Sequence, residues 1–144
     1  MESALRSREG EAVTLYRAAT APVDFRRAHR FAEEQGETAR VLSKPLVYAE
    51  RDGAIVSMLA TYRFPNGYWM AGPLVTAKEL RNPGFTVLRL FDFYEMALKS
   101  VGIRQYDFAV SSTAEKWLKM LRRTGIPEEL GMSGDAIWFR RILT

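Results

Sequence analysis

The residues best placed for chemistry lie in one turn near the middle of the chain. Residues 81–86, with the sequence RNPGFT, follow an apolar segment that ends at Val75 and precedes a long apolar-periodic segment. A strand that stops at a glycine-containing turn and continues as a helix presents free backbone N–H groups and the positive end of a helix dipole. This pattern predicts an anion site, most often for phosphate. The alternative is a turn that only starts a buried helix.

No side chain stands out as a general base. The candidates are Glu79 in the loop before the turn, and Asp107 and Ser111 along a later strand. Each of these residue types is more often solvated or used in capping. His29 is the one histidine and there is no cysteine, which disfavours a histidine metal cluster, a Ser-His-Asp triad and thiolate chemistry.

Strands and turns form a frame that would hold this turn in place. Asp52-Gly53 and Asn66-Gly67 are typical of tight hairpin turns, because both central positions need positive φ. Gly72-Pro73 in the last strand of this meander predicts a bulge, since proline has no ladder donor. Residues 1–11 are predicted as a loose polar lead-in, and the region around Pro127, Gly131 and Gly134 as a loop. Alternation predicts strands at residues 12–18, 46–50, 54–64, 68–75, 103–110 and 136–143.

Helical periodicity accounts for most of the remaining chain. Asp24 is predicted as the N-cap of a helix over residues 25–35, followed by a short helix over 37–42. A capping box from Ser112 to Glu115 is predicted to open a helix that ends at Gly125. Between them, a long helix is predicted from the turn to Gly102, with Leu88 and Met96 widening an apolar face formed by Val87, Leu90, Phe91, Tyr94, Leu98 and Val101.

Composition narrows the class of protein. The 144 residues suffice for one domain, and no apolar run approaches the roughly 20 residues of a membrane span. The absence of cysteine is simplest to explain in a reducing cytoplasm. The net charge of +4 comes from 21 basic and 17 acidic residues, which is typical of a solvated mixed surface. A phosphate-rich partner is the alternative explanation.

Taken in order, the elements and the turn resemble the GCN5-related N-acetyltransferase (GNAT) family over nearly the whole chain. The order is strand, two helices, three antiparallel strands, turn and helix, strand, helix, strand. The family motif Gln/Arg-x-x-Gly-x-Gly/Ala is matched at Arg81 and Gly84, with Thr86 at the last small position. The resemblance implies a single domain over 1–144 with an α+β fold, in which a central mixed sheet of α/β type carries helices on both faces.

The resemblance also implies a reaction and a cosubstrate. Acetyl-coenzyme A would place its pyrophosphate on the turn and its pantetheine arm between strands that splay apart near 73–75 and 107–111. An amine acceptor would then attack the acyl-coenzyme A thioester directly. The residues implied in cofactor binding are Leu74, Val75, Thr76, Arg81, Asn82, Pro83, Gly84, Phe85 and Thr86.

The sequence departs from the family at the expected general acid. Many members carry a tyrosine on the last helix that protonates the leaving thiolate, and Leu121 stands at that position here. Leu121 is instead predicted to pack in the core. A thiolate with a pKa of about 8.5 can leave without an acid.

Two other functions stay open at this stage. One is a catalytically degenerate binding or structural protein of the same fold, such as a bacteriophage component. The other is nucleic-acid binding, which is disfavoured because no aromatic residues are interleaved for base stacking. The basic residues that would contact nucleic acid lie on two predicted helices and are Arg26, Arg27, Arg30, Lys116, Lys119, Arg122 and Arg123.

The sequence also leaves open whether the protein forms a homodimer.

Overall fold

A computed structural model describes residues 4–9, 12–37, 42–66 and 68–144. Within these residues, eight strands form one mixed sheet in the order β1-β2-β3-β4-β5-β6-β8-β7. The helices are α1 (Pro22–Glu34), α2 (Pro83–Ser100) and α3 (Glu115–Thr124). The strands are β1 (Ala4–Glu9), β2 (Ala12–Ala18), β3 (Ser43–Arg51), β4 (Ala54–Arg63), β5 (Trp69–Thr76), β6 (Gln105–Ser111), β7 (Glu128–Ser133) and β8 (Ala136–Ile142).

Helices cover both faces of the sheet, as predicted. Val47, Ala49 and Leu59 belong to a core beneath α2 and α3, whereas Leu46 and Met58 belong to a second core beneath α1. Neighbouring residues of one strand point to opposite faces, so this division follows from the period of two along β3 and β4. Both central strands are therefore buried on both sides.

The two outer strands correct the sequence-based prediction. Residues 1–11 were expected to be a loose lead-in, yet Ala4–Glu9 pairs with β2 along its whole length. The loop predicted after α3 contains β7, which pairs with β8 and is exposed at every position. Every position of β7 is exposed, so no alternation of buried residues reveals it in the sequence, and β1 has the mostly polar sequence ALRSRE. The predicted short helix at 37–42 falls mostly on residues 38–41, which lie outside the described residues.

Both predicted N-caps are wrong. Helix α1 begins two residues before Asp24, whose carboxylate accepts hydrogen bonds from the N–H groups of Thr20 at 2.9 Å and Ala21 at 3.0 Å. These bonds hold the pKa of Asp24 below its usual value. Helix α3 follows Ala114, with no side-chain cap, so Ser112 does not form a capping box. Asp24, at the third helical position of α1, thus satisfies free N–H groups from inside the helix.

Helix α2 begins earlier and is less buried than predicted. Pro83 is its first residue, after Asn82 in the left-handed conformation, so Gly84 lies within the helix. The predicted residues Leu90, Tyr94 and Leu98 are fully buried. The predicted widening of the apolar face is wrong, because the exposed large apolar residues of this region include Leu88, Met96 and Val101. None of the helices in the described part of the chain is long and apolar enough to cross a membrane.

The ion pair between Arg140 and Asp107 fixes β8 to β6 and gives a stability test. Asp107 is 2% exposed and accepts hydrogen bonds from Arg140 Nε at 2.9 Å and Nη2 at 3.1 Å. Arg140→Ala would leave a buried carboxylate without its cation, so we expect the free energy of unfolding to fall by about 3 kcal/mol in urea denaturation. Arg122→Ala, which breaks a similar but exposed pair with Glu129, should lower the free energy of unfolding far less, because solvent screens this pair. Equal losses in the two variants would contradict this assignment.

Candidate functional site

The sheet opens between β5 and β6. These parallel neighbours are bridged at one position, Met70 opposite Asp107, and then separate. On their outer sides, β5 pairs with β4 at six positions and β6 pairs with β8 at seven. The structure therefore confirms that the strands splay apart toward Leu74 and Ser111. Between them, backbone groups of β5 that face β6 have no strand partner.

The predicted bulge lies at the start of this opening. Along β4 the register advances from Leu59 to Thr61, while along β5 it advances from Ala71 to Leu74, so β5 holds the extra residue at Gly72-Pro73. The ring of Tyr62 packs directly on Gly72, because a Cβ built there would lie 2.7 Å from Tyr62 Cε2. Burial is the main cause that raises the pKa of the Tyr62 hydroxyl. The bulge thus turns the free edge of β5 toward β6 and is covered by one aromatic side chain.

A cavity of about 630 Å³ occupies the opening and passes through the sheet. Its walls come from both edges of the opening, from α2 and α3 on one face, and from Tyr62 on the α1 face. Most of the lining is apolar. Such a size and character are typical of a site that takes a small ligand. The side chains that line it include Leu74, Leu88, Phe91, Phe108, Val110, Trp117 and Leu121.

The turn before α2 supplies backbone donors next to this cavity. Helix α2 begins at Pro83, which has no N–H group, so Gly84 and Phe85 carry the unbonded donors of its first turn. Gly84 lies one turn before Leu88 on the same face, and Leu88 lines the cavity. No atom lies within 4 Å of a Cβ built on Gly84, so the space beside it is open. The first turn of α2 is therefore one helical turn away from a residue that lines the cavity.

The other residues of the turn have different surroundings. Thr86, which the resemblance implied in cofactor binding, is fully buried, so its hydroxyl is not presented at the surface for a phosphate. Arg81 and Asn82 line a separate depression of about 460 Å³ beside Arg51. Val75 points into the core under α1, and the Thr76 hydroxyl lies 2.9 Å from Ser57 Oγ. Of the three strand residues Leu74, Val75 and Thr76, only Leu74 lines the cavity.

The three candidate bases are not brought together. Glu79 lines the depression beside Arg51. Ser111 lies at the upper rim of the cavity, the end where β5 and β6 are apart, and its hydroxyl is 2.9 Å from Thr113 Oγ1. Asp107 lies at the bridge between the strands, but both of its oxygens are bonded to Arg140. Asp107 also accepts a hydrogen bond from the Tyr68 hydroxyl. Burial, and to a lesser extent this hydrogen bond, raises the pKa of Tyr68 to about 12. None of the three carboxylates or hydroxyls is a free base in the opening.

The sequence analysis did not predict a polar cluster at the lower end of the cavity, which is the end next to the bridge between Met70 and Asp107. Tyr106 Oη donates to Glu95 Oε2 at 2.6 Å, and Arg141 Nε donates to the same oxygen at 3.0 Å. Burial, followed by the charge of Glu95, raises the pKa of Tyr106 well above its usual value. These residues come from α2, β6 and β8. Only the fold brings them together, so no local motif could have indicated them.

Solved structures share this arrangement. The GNAT domain of S. lividans PAT matches with a TM-score of 0.67 at 14% identity, over 99% of this chain and 97% of that domain. An acetyltransferase of the GNAT family from Listeria monocytogenes 4b F2365 matches with a TM-score of 0.63 at 14% identity, over 96% of this chain and all of the other. The chain has the GNAT acetyltransferase fold. No family model matches the sequence, and no curated protein matches it.

One further structure with the GNAT fold was solved with a ligand. PaiA N-acetyltransferase from Thermoplasma acidophilum, in complex with coenzyme A, matches with a TM-score of 0.55 at 12% identity. The match covers 67% of this chain and 59% of that protein. At such identities the likeness concerns the fold.

Leu121, which stands at the position of the expected general acid, is half-buried, packs against the core beneath α2 and α3 and lines the cavity. The prediction that it packs in the core is confirmed.

The contact of Tyr62 with Gly72 predicts a specific sensitivity at the bulge. Gly72→Ala would place a methyl group within 2.7 Å of the ring, so the ring or the strand must shift. We expect the free energy of unfolding to fall by about 1–3 kcal/mol in urea denaturation. Gly84→Ala is the matched control, since its methyl group meets no atom within 4 Å, and its stability should stay within about 1 kcal/mol of the parent. A Gly72→Ala variant as stable as the control would contradict the close packing.

Proposed function

We propose that the chain is an acyl-coenzyme A dependent N-acyltransferase, with acetyl-coenzyme A as the reference cosubstrate. The observation that carries the proposal is the opened sheet between β5 and β6, next to the N-terminus of α2. A pantetheine arm is a chain with two amide groups, and it needs hydrogen-bond partners when it is buried. The unpaired edge of β5 from Gly72 to Thr76 offers such partners in the manner of a neighbouring strand.

The anion end of the ligand has a matching place. The N–H groups of Gly84 and Phe85, with the positive end of the α2 dipole, suit a pyrophosphate. Arg81 is exposed in the same turn and adds a positive charge nearby. The coenzyme A complex of PaiA, which has the same fold, supports this assignment of the ligand class.

The cavity suggests how two substrates meet. Coenzyme A would enter from the face of α2 and α3, and the amine would approach from the α1 face, where Tyr62 lines the cavity. A backbone N–H of β5 near the bulge would polarise the thioester carbonyl. The amine nitrogen forms a bond to the carbonyl carbon as the C–S bond breaks. The sulfur keeps the electron pair, and the amine proton passes to water.

Coenzyme A binding is the first test. In isothermal titration, we expect the parent protein to bind acetyl-coenzyme A with a Kd below about 1 mM. Gly84→Glu should weaken binding at least tenfold, because a carboxylate would stand against the pyrophosphate. The helix itself should tolerate this change, since an acidic residue is favourable in a first turn.

The control adds the same charge elsewhere. Gln105→Glu changes an exposed residue at the start of β6, which does not line the cavity, so its affinity should equal that of the parent. Absence of binding by the parent at millimolar ligand, or equal binding by Gly84→Glu, would refute the proposal.

A second candidate function is a binding or structural protein that has kept the fold without turnover, such as a component of a bacteriophage. The engagement of Asp107 by Arg140 and the leucine at position 121 favour it, because neither a free base nor the usual acid faces the opening. We expect instead that acetyl-coenzyme A is consumed with an amine from a broad panel, with free thiol measured as the product. Coenzyme A binding without release of thiol above the uncatalysed rate would support the second function.

A further inference from the structure

We propose that the lower part of the cavity is a compartment for the acyl group and that the preferred acyl chain is longer than acetyl and apolar. This inference rests on the proposed function, since it concerns the same ligand. The acyl compartment is defined by residues of α2, β6, α3 and the segment that follows α3. They are Phe91, Tyr106, Phe108, Leu121, Thr124 and Ile126.

The position of the compartment follows from the course of the two strands. The turn that would hold the pyrophosphate lies at the far end of β5, beyond Thr76, and the strands meet at the bridge between Met70 and Asp107. An arm that runs from the turn between the strands must therefore end above the bridge. Tyr106 precedes Asp107 on β6, and the cavity still extends to it. Space thus remains beyond the point where the sulfur would lie.

The walls of the compartment are apolar and closely packed. The rings of Phe91 and Phe108 lie 5.6 Å apart, and Phe91 also stacks on Tyr106 at 6.5 Å. Leu121 of α3 adds a hydrocarbon side chain to this wall and packs against the same core. An apolar chain fits such walls, because each buried methylene contributes favourable transfer free energy.

The floor of the compartment argues against a charged acyl group. Glu95 and Arg141 form a bidentate pair, with Nη2 of Arg141 3.3 Å from Oε1 of Glu95, and Tyr106 bonds to the same carboxylate. The guanidinium also donates to the Ile142 carbonyl at 2.9 Å. The two charges neutralise each other, so a carboxylate at the end of the acyl chain would meet no free cation here. A chain that ends in a methyl group suits this floor better.

The test compares acetyl-coenzyme A with hexanoyl-coenzyme A by isothermal titration. A buried methylene strengthens binding about fourfold, so four additional ones, even if partly exposed, should give a Kd at least tenfold lower for the hexanoyl compound. Equal Kd values, or tighter binding of acetyl-coenzyme A, would overturn the inference while leaving coenzyme A binding intact. If no coenzyme A compound binds, the proposed function itself fails.

A pair of variants tests the location. Thr124→Trp fills the lower end of the compartment, and we expect it to abolish the preference for hexanoyl-coenzyme A over acetyl-coenzyme A. Ser100→Trp is the matched control. Both parent hydroxyls are exposed at a helix end and donate to the carbonyl three residues earlier, Thr124 to Leu121 at 2.9 Å and Ser100 to Ala97 at 2.7 Å. Ser100 does not line the cavity, so its variant should keep the preference. An unchanged preference in Thr124→Trp would overturn the assignment of the compartment.

Discussion

The separation of β5 from β6 is the constraint on which the rest of the structure depends. A sheet that is bridged at one position in its middle cannot be held together by its ladder alone. Helix α2 compensates, because Leu90, Phe93 and Tyr94 belong to one core with residues of β3 and β4 on one side and of β6 and β8 on the other. The Thr61 and Tyr94 hydroxyls, 2.7 Å apart, add a buried polar link between β4 and α2. Helix α2 therefore joins the two halves of the sheet across the opening.

The same constraint explains why the opening is suited to binding. Backbone N–H and C=O groups inside a protein need partners, and β5 reaches its bulge with one edge unpaired. Tyr62 covers the bulge from the α1 face, while the cavity continues between α2 and α3 on the other. In the proposed complex, the amide groups of the ligand complete the ladder and its phosphates lie at the N–H groups of the first turn of α2. Geometry of the backbone, more than any one side chain, defines this site.

The sequence was informative wherever a pattern is local. The hairpin at Asp52-Gly53 has positive φ at both residues, as predicted, and the bulge at Gly72-Pro73 followed from the missing proline donor. The amphipathic period of α2 and the alternation of the central strands predicted these elements, and the fold followed from the resemblance of their order and of the turn to the GNAT family. By contrast, β7 has no buried face to produce a period and β1 is mostly polar in sequence, so only their pairing with neighbours identifies them as strands. Leu88 had the period of a core residue but lines the cavity.

Side-chain roles were less predictable, because they depend on contacts between distant parts of the chain. Asp107 was a reasonable candidate base from its type, but Arg140, 33 residues later, occupies both of its oxygens. The cluster of Glu95 with Arg141 spans 46 residues and has no local signature. Thr86 occupies a motif position that favours a small residue near phosphate, yet its side chain turns into the core. The turn could be found from sequence, whereas the surroundings of its side chains could not.

Amide hydrogen exchange with and without acetyl-coenzyme A tests most directly whether the ligand lies in the opened sheet. Binding along the edge of β5 and at the start of α2 predicts slower exchange on adding the ligand at residues 74–76 and at Gly84 and Phe85. The exposed strand β7, none of whose residues lines the cavity, should exchange as before. Slower exchange confined to other parts of the chain, with residues 74–76 and the first turn of α2 unchanged, would contradict the central claim.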